Sequence, residues 1–206
     1  MTTRLHMRQM IRRRLADTGV DPLWDDAFLD DAIAEGIRRY STHLPRQESA
    51  SLAVTKGDRE LDVPAGVNGM RIVRLFDDQG KAWQRWAGGM PLPVPAGPEG
   101  GDMTWRTWGT TILLDTAAPR SGYWRIEHLA PRDTPANDTD ALDIQPGDED
   151  LIVALALAIA LDRRAIADGK RFTGRAGMHP LATAARTARI DADRLVWERM
   201  RQIRST

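Results

Sequence analysis

The carboxylates between Asn137 and Asp143 have the strongest potential for chemistry, because three aspartates fall within seven residues. Hard cations such as calcium require several carboxylate oxygens close together. The segment, however, lacks the glycine at the sixth position and the closing glutamate at the twelfth position of a calcium loop. We therefore interpret it as a solvated acidic loop. Calcium binding and pairing with arginines of another subunit are the alternatives.

Motifs of the common enzyme classes are absent from the sequence. It contains no G-x-G-x-x-G, no complete Walker loop, no G-x-S-x-G and no H-E-x-x-H. There is no cysteine, which excludes disulfides, thiolate metal sites and a cysteine nucleophile. The four histidines lack metal-site spacing and are interpreted as surface or capping residues: His6, His43, His128 and His179. The sequence predicts a protein that is not an enzyme, with no cofactor or metal.

Five of the seven tryptophans lie in the middle of the chain: Trp83, Trp86, Trp105, Trp108 and Trp124. An exposed row of them would form a sugar-stacking platform or a protein-binding hot spot. In two pairs the tryptophans are three residues apart, so in regular strands the two members would point to opposite faces. This spacing favours packing in a core or an interface. A carbohydrate-binding or other binding module stays the alternative function.

Composition limits the kind of partner that the chain can attract over a distance. The 206 residues carry 29 basic and 29 acidic side chains, so the formal net charge is zero and no global field attracts nucleic acid or anionic lipid. The longest apolar run, Leu151 to Leu161, is about half as long as a bilayer span and predicts a buried helix. Residues 1–15 lack the apolar stretch of a signal peptide, so we expect no export.

Hydrophobic periodicity predicts four helices, two at each end of the chain. The first spans Thr3 to Leu15, and the second begins at the N-cap Asp25 and stops before Pro45. The third begins after Asp148 and is apolar on all sides through its first three turns, so other helices or a neighbouring subunit must surround it. The last helix follows residue 180 and is rich in arginine.

The middle of the chain alternates β-branched and aromatic runs with turn residues, which predicts seven strands: Ala50–Thr55, Arg59–Val63, Met70–Asp77, Ala82–Trp86, Met103–Trp108, Thr111–Asp115 and Tyr123–Leu129. Residues 88–101 are predicted to be a loop. The predicted fold is α+β, with a four-helix adaptor-like bundle (1–47 and 146–206), a small antiparallel β-domain (48–130) inserted between helices 2 and 3, and an acidic linker (131–145).

Two segments resemble the head–tail adaptor (connector) proteins of tailed bacteriophages and gene transfer particles. The first contains Leu15-Ala16-Asp17-Thr18, Leu23-Trp24-Asp25-Asp26 and the helix Leu29-x-x-x-Ile33-x-x-x-Ile37-x-x-Tyr40. The second is the acidic start Asp148-Glu149-Asp150 of an Ala/Leu-rich helix. The resemblance covers about residues 3–45 and 146–204. A β-insertion of this kind occurs in the larger adaptors.

The resemblance implies a structural protein of the virion neck, present in the host cytoplasm during assembly. It implies a ring of twelve copies between the portal protein and a stopper, head-completion or tail protein, with double-stranded DNA in the lumen and no membrane. The C-terminal helix would dock on the portal through Arg194, Trp197, Arg201 and Arg204, although Trp197 packed against the first helix is an equal alternative. Contacts between copies are expected at Arg12, Arg13, Asp26, Asp30, Leu151 and Leu155.

Overall fold

A computed structural model describes residues 2–86, 103–169 and 180–204. The predicted loop 88–101 lies outside these residues, as do the side chains of Pro180 and Arg204. The chain divides into two compact units. We call them the helical unit (Met1–Pro45 and Pro131–Thr206) and the sheet unit (Arg46–Ala130). The fold is a mixture of α and β structure, as the sequence predicted.

The helical unit contains four α-helices within its described residues: α1 (Arg4–Arg14), α2 (Asp26–His43), α3 (Glu149–Gly169) and α4 (Pro180–Arg204). Local sequence sets their ends. Asp25 accepts a hydrogen bond from the amide of Ala27, which satisfies one free donor at the start of α2. At the other end, α2 stops at His43, two residues before Pro45.

Helix α3 forms the centre of the helical unit. Ile152, Val153 and Ala156 are completely buried, and α3 packs against α1, α2 and α4. Gly36 on α2 permits the closest approach, since a Cβ atom there would lie 3.3 Å from the backbone nitrogen of Ala156. Helices of the same chain thus surround the apolar α3. No helix among residues 2–86, 103–169 and 180–204 is both long enough and apolar enough to cross a membrane.

The described residues of the sheet unit form one seven-stranded sheet with the order β1-β7-β3-β4-β5-β6-β2. Its strands are β1 (Arg46–Val54), β2 (Glu60–Asp62), β3 (Ile72–Phe76), β4 (Ala82–Arg85), β5 (Thr104–Trp108), β6 (Thr111–Leu114) and β7 (Gly122–Ala130). Each predicted strand overlaps an observed one. The first and last residues of the unit, Arg46 and Ala130, face each other in the β1–β7 pair.

The prediction of a purely antiparallel sheet is wrong at one position. Strands β4 and β5 pair in parallel, with Gln84 opposite Thr104 and Arg85 opposite Trp105. The physical reason is the length of the connection, because residues 86–103 are long enough for the crossover that parallel neighbours need. By contrast, the tight turn at Gly109, where φ is +60°, joins β5 and β6 as an antiparallel hairpin.

Candidate interaction surface on the last helix

The carboxylates of the acidic segment are bound within the chain. Asp138 pairs with Arg4 at 2.7 Å and with Arg8 at 2.5 Å. Asp140 accepts hydrogen bonds from the amides of Ala136 and Asn137. The two arginines lower the pKa of Asp138, chiefly through the Arg4 hydrogen bond. In the described ranges no group of three or more potential ligands has the geometry of a metal site. The arginine partners belong to the same chain, so the alternative of pairing with another subunit is not needed to explain this charge.

Arg8 is the centre of the largest charged cluster among the described residues of the helical unit. Its side chain is 7% exposed, and it binds Asp30 at 2.8 Å and Asp26 at 3.0 Å in addition to Asp138. Since α1 supplies the cation and α2 two of the anions, the cluster joins these helices. Hydrogen bonding from Arg12, with the charge of Arg8, holds the pKa of Asp26 below its ordinary value.

Most residues predicted to contact another copy are engaged within the chain. Arg12 pairs with Asp17 at 2.6 Å and with Asp26 at 2.5 Å, while Asp26 and Asp30 bind Arg8. Leu151 and Leu155 are buried, at 5% and 4% exposure. Arg13 is exposed and forms no ion pair with any described residue. Of this predicted set, Arg13 alone combines an exposed side chain with a charge that has no ion-pair partner in the described residues.

Helix α4 is attached to the unit by one face. Ala185, Ala192 and Val196 are at most 4% exposed, and they belong to the same core as α3. At about 3.6 residues per turn these three positions fall on one side of the helix. The small side chains allow α4 to lie close to α3, which leaves the opposite side of α4 facing outwards.

The outward face of α4 carries two large apolar side chains among arginines. Ile190 and Trp197 are 60% and 57% exposed, and they lie seven residues apart, which is about two helical turns. Arg194 and Arg201 occupy the same face and are also exposed. Arg194 lies within 4.0 Å of Asp191 and Glu198, which are both on α4. The backbone of Arg204 continues the helix. We call the set Ile190, Arg194, Trp197 and Arg201 the outward face.

The exposure of Trp197 bears on the two alternatives that the sequence left open. More than half of its surface is accessible, which favours a contact with a partner over packing against the first helix. Three of the four residues predicted to dock on a partner lie together on this face. Side-chain placement of the fourth, Arg204, lies outside the described residues.

A buried polar network holds α4 against the rest of the helical unit. Asp148 is 4% exposed; it accepts a hydrogen bond from the Tyr40 hydroxyl at 2.6 Å and forms an ion pair with Arg199 at 2.8 Å. Arg199 also donates to the side-chain oxygen of Gln145 at 3.2 Å. The network connects α2, the start of α3 and α4. It limits rotation of α4 and so holds Trp197 in its outward direction.

An apolar groove of about 730 Å³ runs beside the outward face. Helices α3 and α4 form its floor with small and branched residues: Ala154, Leu157, Leu161, Ala184, Ala188 and Leu195. Arg14, Arg194 and Asp191 line it as well. The same part of α4 thus presents an exposed aromatic residue, an apolar depression and basic side chains. Clusters of these residue types are typical of protein–protein contacts.

The tryptophans of the sheet unit do not form a platform. Trp83, Trp105 and Trp124 are at most 3% exposed and fill the core, with the rings of Trp83 and Trp124 in contact. Trp108 is 73% exposed, so the prediction that Trp105 and Trp108 point to opposite faces is confirmed. The carbohydrate-binding alternative loses three of its five aromatic residues to packing.

Sequence reasoning missed Ile190 as part of the outward face and Arg8 as the centre of the charged cluster. The spacing of Ile190 from Trp197 was available as a signal, since both fall outside the stripe of alanines that α4 buries. No comparable signal existed for Arg8. Its partner Asp138 lies 130 residues away along the chain.

Comparison with known proteins adds little to this geometry. No family model matches the sequence, and no curated protein matches it. Among solved structures, the chain is similar to one described as the neck of an empty GTA particle computed with C6 symmetry. The identity is 16%, the TM-score is 0.26, and the match covers 84% of this chain and 82% of the other. A likeness at this level assigns neither the family nor the function.

Proposed function

We propose that this chain is a structural head–tail adaptor of a tailed phage or phage-like particle. Its helical unit takes the adaptor-like bundle arrangement and forms the body of a ring of twelve copies in the neck of the virion. The ring lies between the portal protein and a stopper, head-completion or tail protein, and DNA passes through its lumen. These partners are the ones that the resemblance of residues 3–45 and 146–204 to adaptor proteins implies.

The observation that carries the proposal is the outward face of α4. Trp and Arg are among the residue types most enriched in interface hot spots. Trp197 stands two helical turns from Ile190 with arginines around it, on a helix held rigid by Asp148 and Arg199. A rigid anchor loses little conformational entropy on binding. We assign this face to the portal contact.

The proposal also assigns the chain a binding role and no catalytic one. Its charged clusters are ion pairs between parts of the helical unit, as at Arg8 with Asp30 and Arg132 with Asp143.

The apolar groove between α3 and α4 gives the ring a surface for a neighbouring copy. Such a head-to-tail contact needs two different complementary patches on each protomer. Arg13, exposed on α1, is the charged residue that we assign to the second patch.

The test is binding of the purified chain to the portal protein from the same particle, measured by biolayer interferometry. We expect Trp197→Ala to weaken binding at least tenfold, since truncation of a hot-spot residue costs about 2 kcal/mol or more. Trp108→Ala is the matched control, because Trp108 is exposed to a similar degree but lies in the sheet unit. Its affinity for the portal should stay at the wild-type value.

Wild-type portal affinity in a folded Trp197→Ala protein would remove the outward face from the contact. Negative-stain microscopy of the wild-type complex tests the ring independently. We expect rings of adaptor stacked on portal. A saturable response to a glycan panel, with no portal binding, would instead favour the carbohydrate-binding module.

A further inference from the structure

A second groove, of about 460 Å³, lies where α2, α3 and α4 meet in the helical unit. Four arginines from three helices line it: Arg39 on α2, Arg163 on α3, and Arg186 and Arg189 on α4. We call it the arginine groove. Its only acidic lining residues in the described part of the chain are Glu35 and Asp162. The lining therefore has an excess of two positive charges in a protein whose formal net charge is zero.

Glu35 is paired within the chain, and two of the four groove arginines form no ion pair with a described residue. Glu35 forms an ion pair with Arg38 at 2.9 Å and with Arg39 at 3.6 Å, so its carboxylate is already neutralised. Hydrogen bonding from Arg38 lowers the pKa of Glu35, which keeps it ionised and paired. Within residues 2–86, 103–169 and 180–204, neither Arg186 nor Arg189 forms an ion pair, and both side chains are exposed. These two guanidinium groups project from adjacent turns of α4.

The chemistry of the lining favours phosphate as the ligand. A guanidinium group is a planar fork that matches phosphate oxygens, and it stays charged at any physiological pH. No described residue that lines the groove is aromatic, so none of them offers a ring on which a nucleobase could stack. Two arginines one helical turn apart offer two separate forks, so they can contact two phosphate groups at once. The groove therefore suits the phosphate backbone of a nucleic acid and not its bases.

We propose that the arginine groove binds phosphate groups, with the backbone of nucleic acid as their source. The inference does not rest on the portal contact, because the outward face and the arginine groove use different side chains of α4. Binding would be independent of sequence, since phosphate contacts carry no base information. With zero net charge on the protein, the attraction is local and is expected to weaken steeply as salt is added.

The test measures fluorescence anisotropy of a labelled 20-base-pair DNA duplex with the full chain at increasing salt. The slope of log affinity against log salt is negative, and each phosphate contact adds about 0.9 to its magnitude. The variant Arg186→Gln/Arg189→Gln loses two contacts. The magnitude of its slope should therefore fall by about 1.8, and its binding at low salt should weaken at least tenfold. Both side chains are exposed, so the variant is expected to fold; circular dichroism and thermal melting check this.

The matched control is Arg59→Gln/Arg71→Gln, which removes two exposed arginines of the sheet unit and the same total charge. It should keep the wild-type slope. Inorganic tripolyphosphate and polyglutamate serve as competitors. Displacement by tripolyphosphate supports a phosphate site, and binding of tripolyphosphate without the duplex would assign free phosphate as the source. Equal slopes for wild type and the groove variant, or equal displacement by polyglutamate, would overturn the proposal.

Discussion

The hydroxyl of Tyr40 donates to the carboxylate of Asp148 across 2.6 Å, and both residues are buried although 108 positions separate them in sequence. The contact joins the last part of α2 to the start of α3. Asp148 also pairs with Arg199 on α4, so one carboxylate restrains three helices. Because buried polar groups are costly when a partner is lost, the pair has measurable consequences.

Replacement of Tyr40 by phenylalanine should destabilise the protein by about 1–3 kcal/mol, because the buried Asp148 then loses one of its hydrogen-bond donors and keeps only Arg199 as a charged partner. Equilibrium unfolding in urea measures the change. Tyr123→Phe is the control, since Tyr123 is 77% exposed and its removal should alter the free energy of unfolding by less than about 0.5 kcal/mol. Equal stability of the two variants would show that the Tyr40 hydroxyl adds nothing to the free energy of unfolding.

The same contact predicts a dependence on alkaline pH. Burial, followed by the hydrogen bond to Asp148, raises the pKa of Tyr40 to about 12, whereas an unfolded tyrosine titrates near 10. Between these values the folded state holds a proton that the unfolded state has lost, so stability falls as pH rises, by at most about 1.4 kcal/mol per pH unit. The Tyr40→Phe variant has no hydroxyl proton at this position, so its stability lacks this dependence on pH. The stability difference between wild type and Tyr40→Phe should therefore narrow above pH 10; a constant difference would contradict the assignment.

The charged cluster around Arg8 should make a larger contribution than an ordinary surface ion pair. Arg8→Met leaves the carboxylates of Asp26, Asp30 and Asp138 without their shared cation. Partial hydration of those carboxylates reduces the penalty below that of a fully buried pair, so we expect a loss of about 2–3 kcal/mol. Arg13→Met removes an exposed arginine from the same helix and should cost under about 0.5 kcal/mol. Chemical denaturation compares the two, and similar losses would disprove a special role for Arg8.

Fluorescence quenching tests the placement of the tryptophans. Trp108 and Trp197 are 73% and 57% exposed, while Trp24, Trp83, Trp105 and Trp124 are at most 5% exposed. Acrylamide should therefore quench a minor, red-shifted fraction of the emission. The variant Trp108→Phe/Trp197→Phe should lose most of that fraction, and Trp83→Phe should not. An unchanged quenchable fraction in the double variant would place the accessible tryptophans elsewhere.

Elements with local causes could be predicted from sequence. Asp25 caps α2, Pro45 follows its end, and Gly109 turns β5 into β6, because each effect acts over a few residues. Strand pairing could not be predicted in the same way. Strand β1 pairs with β7 and not with its sequence neighbour β2, and the parallel β4–β5 pair depends on how a long connection is routed.

The candidate site was predictable in part. Arg194, Trp197 and Arg201 were expected on an arginine-rich helix, and they share a face because helical spacing is regular. Which face α4 buries depended on its contact with α3, which periodicity alone did not settle for Trp197. The predicted contacts of Arg12 and Asp26 with another copy stay predictions. Within the chain these two residues form an ion pair with each other, which sequence spacing alone did not indicate.

The position of the sheet unit within the chain has an evolutionary consequence. Its terminal residues, Arg46 and Ala130, are direct partners in one antiparallel pair, and in the helical unit the amide of Arg132 donates to the hydroxyl of Ser41 at 2.9 Å. The chain thus departs from the helical unit and re-enters it through adjacent positions. An insertion with adjacent ends can be shortened, enlarged or exchanged by recombination without rerouting any helix. The sheet unit can therefore change in length or be replaced while the four helices keep their sequence and packing.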